Sequence, residues 1–383
     1  MRPGQWNGIV RGMRDATTVI TGATGFLGRE IVLHLLACEP TTHLTLLVRG
    51  RDETEAQARG LALLTAQLQG EALADAMRRV EVVRADLEQE RLGLTSRAHD
   101  ELVARTTAVI HGAASVSFSL PIEQARAINV DGTRRMLDLA RKARAHLDYV
   151  GTAYVAGERQ GLILESELEM GQGFRNTYEA SKCEAERLVQ ARAAEQSLTI
   201  YRPSIIVGDS RTGRTSSFKV LYWPLKIFAR GFRVVPGRAD TSVDVVPSDF
   251  VVEALAHLRR RPDRAGQVYH LCAGPERSAT LGELAGLAAR FFNVKRPIFV
   301  EPKLFVRARP VIDRLTWGRL RRILLAGRVY TPYLSLNLAF DTQRADAGLQ
   351  GTGIVVPRVE AYFSNLFRFA IATDWGKKLP GAE

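Results

Sequence analysis

Tyr178 and Lys182 stand four residues apart in a stretch with helical patterning, residues 178–194, so a phenol and an ammonium share one helix face about one turn apart. An adjacent cation favours phenolate, and the spacing therefore predicts that Lys182 draws Tyr178 below its ordinary value near ~10. A phenol so placed can hand a proton to a carbonyl oxygen while hydride reaches the carbon. By itself the spacing also arises by chance. Thr152 follows an apolar run at residues 147–150 and offers a third hydroxyl, either to hold a substrate oxygen or merely to close a strand end.

What lifts this trio above coincidence is a glycine pattern far upstream. Gly22, Gly25 and Gly28, with Thr24, Phe26 and Leu27 between them, follow a β-branched run at residues 18–21 and precede an apolar helical stretch at residues 29–37. In that order the first glycine permits a tight turn, the second admits a pyrophosphate, and the third lets helix pack on sheet, with the helix N-terminus facing the anion. A plain glycine-rich turn is the bland alternative. Arg49, 21 residues past Gly28 and with Arg51 close by, occupies the strand end where an NAD site usually carries a carboxylate. A cation there favours the 2′-phosphate of NADPH through charge-assisted hydrogen bonds, unless it is simply a solvated arginine.

These residues need a scaffold, and the first half of the chain supplies one. Short β-branched or apolar runs at residues 18–21, 43–48, 80–83, 108–110, 147–150 and 198–201 alternate with helix-like segments at 29–37, 53–79, 129–145 and 178–194. That rhythm is α/β, a doubly wound parallel sheet of the Rossmann type. Beyond about Val207 it gives way to Gly, Pro and aromatic residues, read as a smaller, mixed, substrate-binding region. The expected division is a flexible N-terminus at 1–16, a NADP-binding domain with the catalytic residues at 17–210, a substrate-binding region at 211–376 and a flexible tail at 377–383. The apolar and aromatic segment 218–232 reads equally well as the wall of an acyl channel or as ordinary core.

Composition narrows the partners. With 46% hydrophobic and 25% charged residues among 383, the chain can bury a substantial core. Three widely spaced cysteines suggest neither a disulfide framework nor a metal site, and fit a reducing, cytoplasmic setting. No signal-peptide or membrane-spanning run is expected. The net charge of +12, from 53 Lys and Arg against 41 Asp and Glu, is dispersed and lacks aromatic interleaving, so no nucleic acid is expected. The basic, apolar run at 317–333 carries the pattern of a segment resting on an anionic surface, and peripheral membrane contact is a minority reading of it.

Taken together, the glycine loop, Asp86 with Leu87, His111 with Ala113 and Ala114, Asn129 to Thr133, Thr152, Tyr178 with Lys182, and Tyr201 to Ser204 resemble the extended short-chain dehydrogenase/reductase family over roughly residues 17–210. Runs 109–118 and 151–157 are most similar to its fatty acyl-CoA reductase and thioester reductase branch, although Gly151 stands where that branch often has serine. The resemblance implies that Asp86 and Leu87 border adenine, Ala113 and Ala114 line the cofactor, and Pro203 and Ile205 approach the nicotinamide. It also implies that Lys182 holds the ribose and that Asn129 braces the active-site helix. Candidate substrate contacts are Ser115, Phe118, Phe174 and Trp223. The implied activity is NADPH-dependent reduction of an acyl thioester, carried on coenzyme A or a carrier protein and delivered from outside, to aldehyde or alcohol. A nucleotide-sugar epimerase or dehydratase, a hydroxysteroid-type dehydrogenase and a non-catalytic NADP-binding regulator remain as alternatives, and oligomeric state is not legible.

Overall fold

All five residues of the first strand, β1 (Thr17–Thr21), are β-branched and all are buried, as a strand covered on both faces requires. The computed structural model describes residues 17–218, 220–301, 307, 314, 333 and 336–378. In it β1 is joined on one side by β2 (His43–Val48) and β3 (Val80–Arg84), and on the other by β4 (Thr106–His111) and β5 (His146–Val150). The strands Leu198–Pro203 and Val268–Leu271 complete a seven-stranded sheet, and every pairing in it is parallel.

Successive side chains serve opposite cores. Ile20 and Ile110 pack with Ile31, Val32 and Leu35 of α1 (Phe26–Cys38) and with Val251 and Leu255 of the helix Ser248–Leu258. Their neighbours Val19 and Val109 pack on the other face against Met136 and Leu139 of the helix Gly132–Ala143 and Ala185 and Val189 of the helix Thr177–Ala191. Strand order reverses at β1, between β2 and β4, so a crevice opens beyond the carboxyl ends of β1 and β4.

Two expectations need correction. The helix-like segment 53–79 is two helices, Glu53–Thr65 and Gly70–Arg79: the chain leaves the first at Ala66, Gln69 is extended, and Gly70, which opens the second, takes a φ of +54° that favours glycine. The sheet also does not end near residue 210: the four-residue strand Val268–Leu271 pairs with Leu198–Pro203, and Ser248–Leu258 covers α1. That strand follows a long irregular stretch, beyond the regular alternation of strand and helix that marks the other six. The rest of the C-terminal half builds a third core, in which Tyr222, Leu225 and Phe228 meet Tyr362, Phe363 and Phe367. Within the ambiguous segment 218–232 these three residues are thus core. Residues 1–16 and 379–383, and all of the basic run 317–333 except Tyr333, lie outside the described residues. No helix among the described residues is long and apolar enough to cross a membrane.

Candidate active site

A cavity of about 790 Å³ occupies the crevice at the sheet's reversal point, and the glycine loop forms one end of it. Gly22 turns at a φ of +76°, and a Cβ there would lie 2.7 Å from the backbone of Gly112 and Ala113. At Gly28 a Cβ would sit 2.1 Å from the Gly22 carbonyl oxygen, and at Gly25 3.1 Å from it. Gly22 and Gly28 thus exclude a side chain for steric reasons, while at Gly25 the neighbouring carbonyl would have to give by a few tenths of an ångström. The following helix has no side-chain cap and no acidic residue in its first turn, so its unpaired N–H groups face the cavity as an anion cradle. Thr24, Phe26 and Leu27 line the same end.

Arg49, at the end of β2, lines the cavity and bonds Glu88 at 3.2 Å. A second guanidinium joins it: Arg59 reaches back from its helix to the Arg49 carbonyl and, at 3.4 Å, to the Thr24 hydroxyl. Arg59 was not among the residues singled out from the sequence; it sits within the helix Glu53–Thr65, and only its contacts with Arg49 and Thr24 bring it to the cavity. Arg51 turns away, pairing with Glu55 at 2.7 Å, and does not line the cavity. Asp86 and Leu87 flank the Arg49 end, Ala113 and Ala114 form a side wall, and Pro203 and Ile205 line the far end together with Thr152, Tyr178 and Lys182. The cradle, the basic end and the volume of this cavity fit a dinucleotide.

The reacting end is held by buried hydrogen bonds. Asn129 lies outside the cavity and accepts the Ser115 N–H at 2.7 Å while donating to the Ser115 carbonyl at 3.2 Å and to Ser181 Oγ at 2.9 Å. It thereby joins the loop after β4 to the helix carrying Tyr178. His111 bridges Thr21 at 2.7 Å and Thr133 at 3.0 Å, and burial, with Lys182 nearby, pushes it down to about 3, so it stays neutral. Lys182 donates to the Val150 carbonyl at 3.0 Å with its ammonium 4.3 Å from the Tyr149 ring centroid. Burial lowers it to about 8 against the opposing pull of Glu186.

Here the sequence expectation for Tyr178 reverses. Burial pushes the phenol up to about 12, although a hydrogen bond with Thr152 pulls the other way and Glu179 adds to the rise. An apolar wall penalises phenolate more than the Lys182 charge, which is spent on Val150 and Tyr149, favours it. Tyr178 is therefore protonated at neutral pH. Thr152 Oγ1 also accepts the Tyr154 N–H at 3.3 Å and donates to the Pro203 carbonyl at 3.5 Å, which fixes it at the cavity wall. At Gly151 a Cβ would come 3.0 Å from Glu186 Oε2, an atom without a hydrogen-bond partner among the described residues.

Of the substrate candidates, Ser115 and Phe118 line the cavity, and Phe118 lies 5.8 Å from the Tyr178 ring. Phe174 instead packs with Val155, Leu168 and Cys183, and Trp223 sits on the helix Tyr222–Ala229 outside the cavity. Among the described residues of the ambiguous segment, only Val220 and Leu221 line it. Tyr154 and Tyr333, neither of them foreseen as a site residue, complete the aromatic side.

Comparison with known proteins agrees with this geometry. Residues 20–255 match the NAD-binding family described as Male sterility protein. The chain is 32% identical over 270 residues to the glycine betaine reductase ATRR of Emericella nidulans, covering 68% of this chain and 21% of that protein. It is 27% identical over 283 residues to the fatty acyl-CoA reductase wat of Drosophila melanogaster, covering 63% of this chain and 53% of that one. Among solved structures, the terminal R domain of the myxalamid PKS-NRPS biosynthetic pathway superposes with a TM-score of 0.82 at 29% identity, covering 97% of this chain and 94% of that domain. With its glycine cradle, its Thr152, Tyr178 and Lys182 cluster and these relatives, the chain belongs to the Male sterility protein family, in the thioester reductase branch of the extended short-chain dehydrogenases/reductases.

Proposed function

We propose that this protein reduces acyl thioesters with NADPH. The observation that carries the reading is the meeting, in one cavity, of a pyrophosphate cradle with a hydroxyl pair, Thr152 and Tyr178, backed by buried Lys182. Bound nicotinamide supplies the hydride. Thr152 and Tyr178 hold the thioester oxygen: the Thr152 hydroxyl turns from the Pro203 carbonyl, where it rests at 3.5 Å, and with the Tyr178 hydroxyl donates to the negative charge that develops on that oxygen. Tyr178 then gives its proton to that oxygen, and the resulting hemithioacetal collapses to thiol and aldehyde. Lys182 steadies the ribose and offsets the charge on Tyr178 once the proton has left. Ala113 and Ala114 leave room for the cofactor ring beside the phenol, and the acyl carrier, coenzyme A or a carrier protein, remains outside the cavity.

Preference for NADPH rests on Arg49 with Arg59 at the adenosine end. Arg49→Asp is expected to raise the KM for NADPH roughly 10- to 100-fold, the worth of one hydrogen bond to a charged group, while sparing NADH. Equal losses for both cofactors remove the assignment. The function itself is tested by NADPH consumption over a panel of acyl-CoA, acyl-carrier, aldehyde, sugar-nucleotide and sterol substrates, with product analysis. Turnover confined to sugar nucleotides or sterols overturns it.

A further inference from the structure

Tyr333 is 155 residues beyond Tyr178 in sequence, yet it is pinned to the first turn of the same helix. Its hydroxyl donates to Glu179 Oε1 at 2.5 Å and accepts from Asn176 Nδ2 at 2.7 Å. Glu179 also takes the Arg175 Nε–H at 2.9 Å, and the Arg175 guanidinium lies 5.1 Å from the Tyr333 ring centroid and 5.9 Å from that of Tyr154. The Arg175 side chain is 5% exposed, and its two terminal nitrogens have no hydrogen-bond partner among the described residues. That buried charge is thus held by Glu179 and by ring faces alone, so the Tyr333 ring cannot swing away without uncovering it.

The other side of the ring meets the cavity. Phe118 stacks on Tyr333 at 5.4 Å with 21° between planes, Tyr154 meets it edge-on at 5.5 Å, and Phe118 in turn lies 5.8 Å from Tyr178. Because the Tyr333 hydroxyl is committed to the helix, the surface it offers the cavity is carbon. A rigid wall of three rings therefore begins beside the phenol that meets the substrate carbonyl, and the first carbons of the acyl group must run along it.

We infer that Tyr333 is a specificity-determining residue that restricts the substrate to acyl groups that are apolar and either unbranched or flat next to the carbonyl, an inference that rests on the thioester-reductase reading. A branch on the carbon beside the carbonyl meets the Phe118 and Tyr333 rings, whereas a linear chain or a planar group lies along them. Isomeric substrates test this: hexanoyl-CoA against 2-methylpentanoyl-CoA, read as the ratio of their kcat/KM values, with NADPH binding as the check on folding. Tyr333→Leu, which keeps apolar cover over Arg175, and Phe118→Ala, which leaves the Arg175 and Glu179 pair alone, should each raise the branched-to-linear ratio about tenfold, the discrimination that one methyl group gives in an apolar pocket. Tyr333→Phe keeps the ring and should keep the wild-type ratio. A Tyr333→Leu ratio within about twofold of wild type overturns the inference, whatever Phe118→Ala gives. If the wild-type chain consumes NADPH with no acyl thioester at all, the underlying reading fails first.

Discussion

Burial holds the Tyr178 phenol up to about 12 and lowers the Lys182 amine to about 8, and in the proposed mechanism the first gives the proton and the second supports its charge. Tyr178 remains protonated throughout the physiological range, the form a reduction needs. Tyr178→Phe should lower kcat roughly 100- to 10,000-fold, the usual worth of a positioned general acid, while NADPH affinity measured by fluorescence titration stays near wild type. The pH limb belongs to Lys182. Its depressed value means that the ammonium loses its proton as pH rises through about 8, so kcat/KM should fall above that point, and a profile flat from pH 7 to 10 rejects the role. His111, neutral above about 3, contributes no limb in that range.

Glycines matter at the level of the element, and two of them make opposite cases. Gly28→Ala drives a Cβ to 2.1 Å from the Gly22 carbonyl, so the turn between β1 and α1 must deform and NADPH binding should be lost. Gly70→Ala meets no atom within 4 Å and pays only for its left-handed φ, about 1–2 kcal/mol of stability by denaturant unfolding, with cofactor affinity unchanged. The same contrast explains what the sequence disclosed. The glycine loop and the Tyr178 and Lys182 pair are local patterns, tied to one turn and one helix, and so they were readable along with six of the seven strands of the sheet. Arg59, Tyr154 and Tyr333 reach the cavity only through tertiary packing, and Val268–Leu271 stands outside the alternation of strands and helices that marked the other six. Phe174 and Trp223 carried the right chemistry for a substrate wall, but Phe174 packs with Val155, Leu168 and Cys183 and Trp223 lies on a helix outside the cavity. The direction of the Tyr178 shift was misjudged because spacing reveals a neighbouring charge and is silent about desolvation.

For the molecule as a whole, Asp244 is the knot between its halves. This buried carboxylate accepts hydrogen bonds from the Ser204 hydroxyl at the cavity wall, from the N–H groups of Ala273 and Gly274 at 2.8 and 3.0 Å, and from Ser278 at 3.3 Å. Asp244→Ala strands those donors without a partner and should cost about 2–5 kcal/mol in urea denaturation. A variant as stable as wild type dismisses the coupling. The strand Val268–Leu271 adds a consequence of another kind. Since the outermost ribbon of the nucleotide half is recruited from downstream, the two halves are interlaced along the chain and neither can be exchanged by a single cut. Grafting a new substrate half from a homologue requires two junctions, one on each side of this ribbon, or else residues 198–203 are left as a bare rim open to pairing with another molecule.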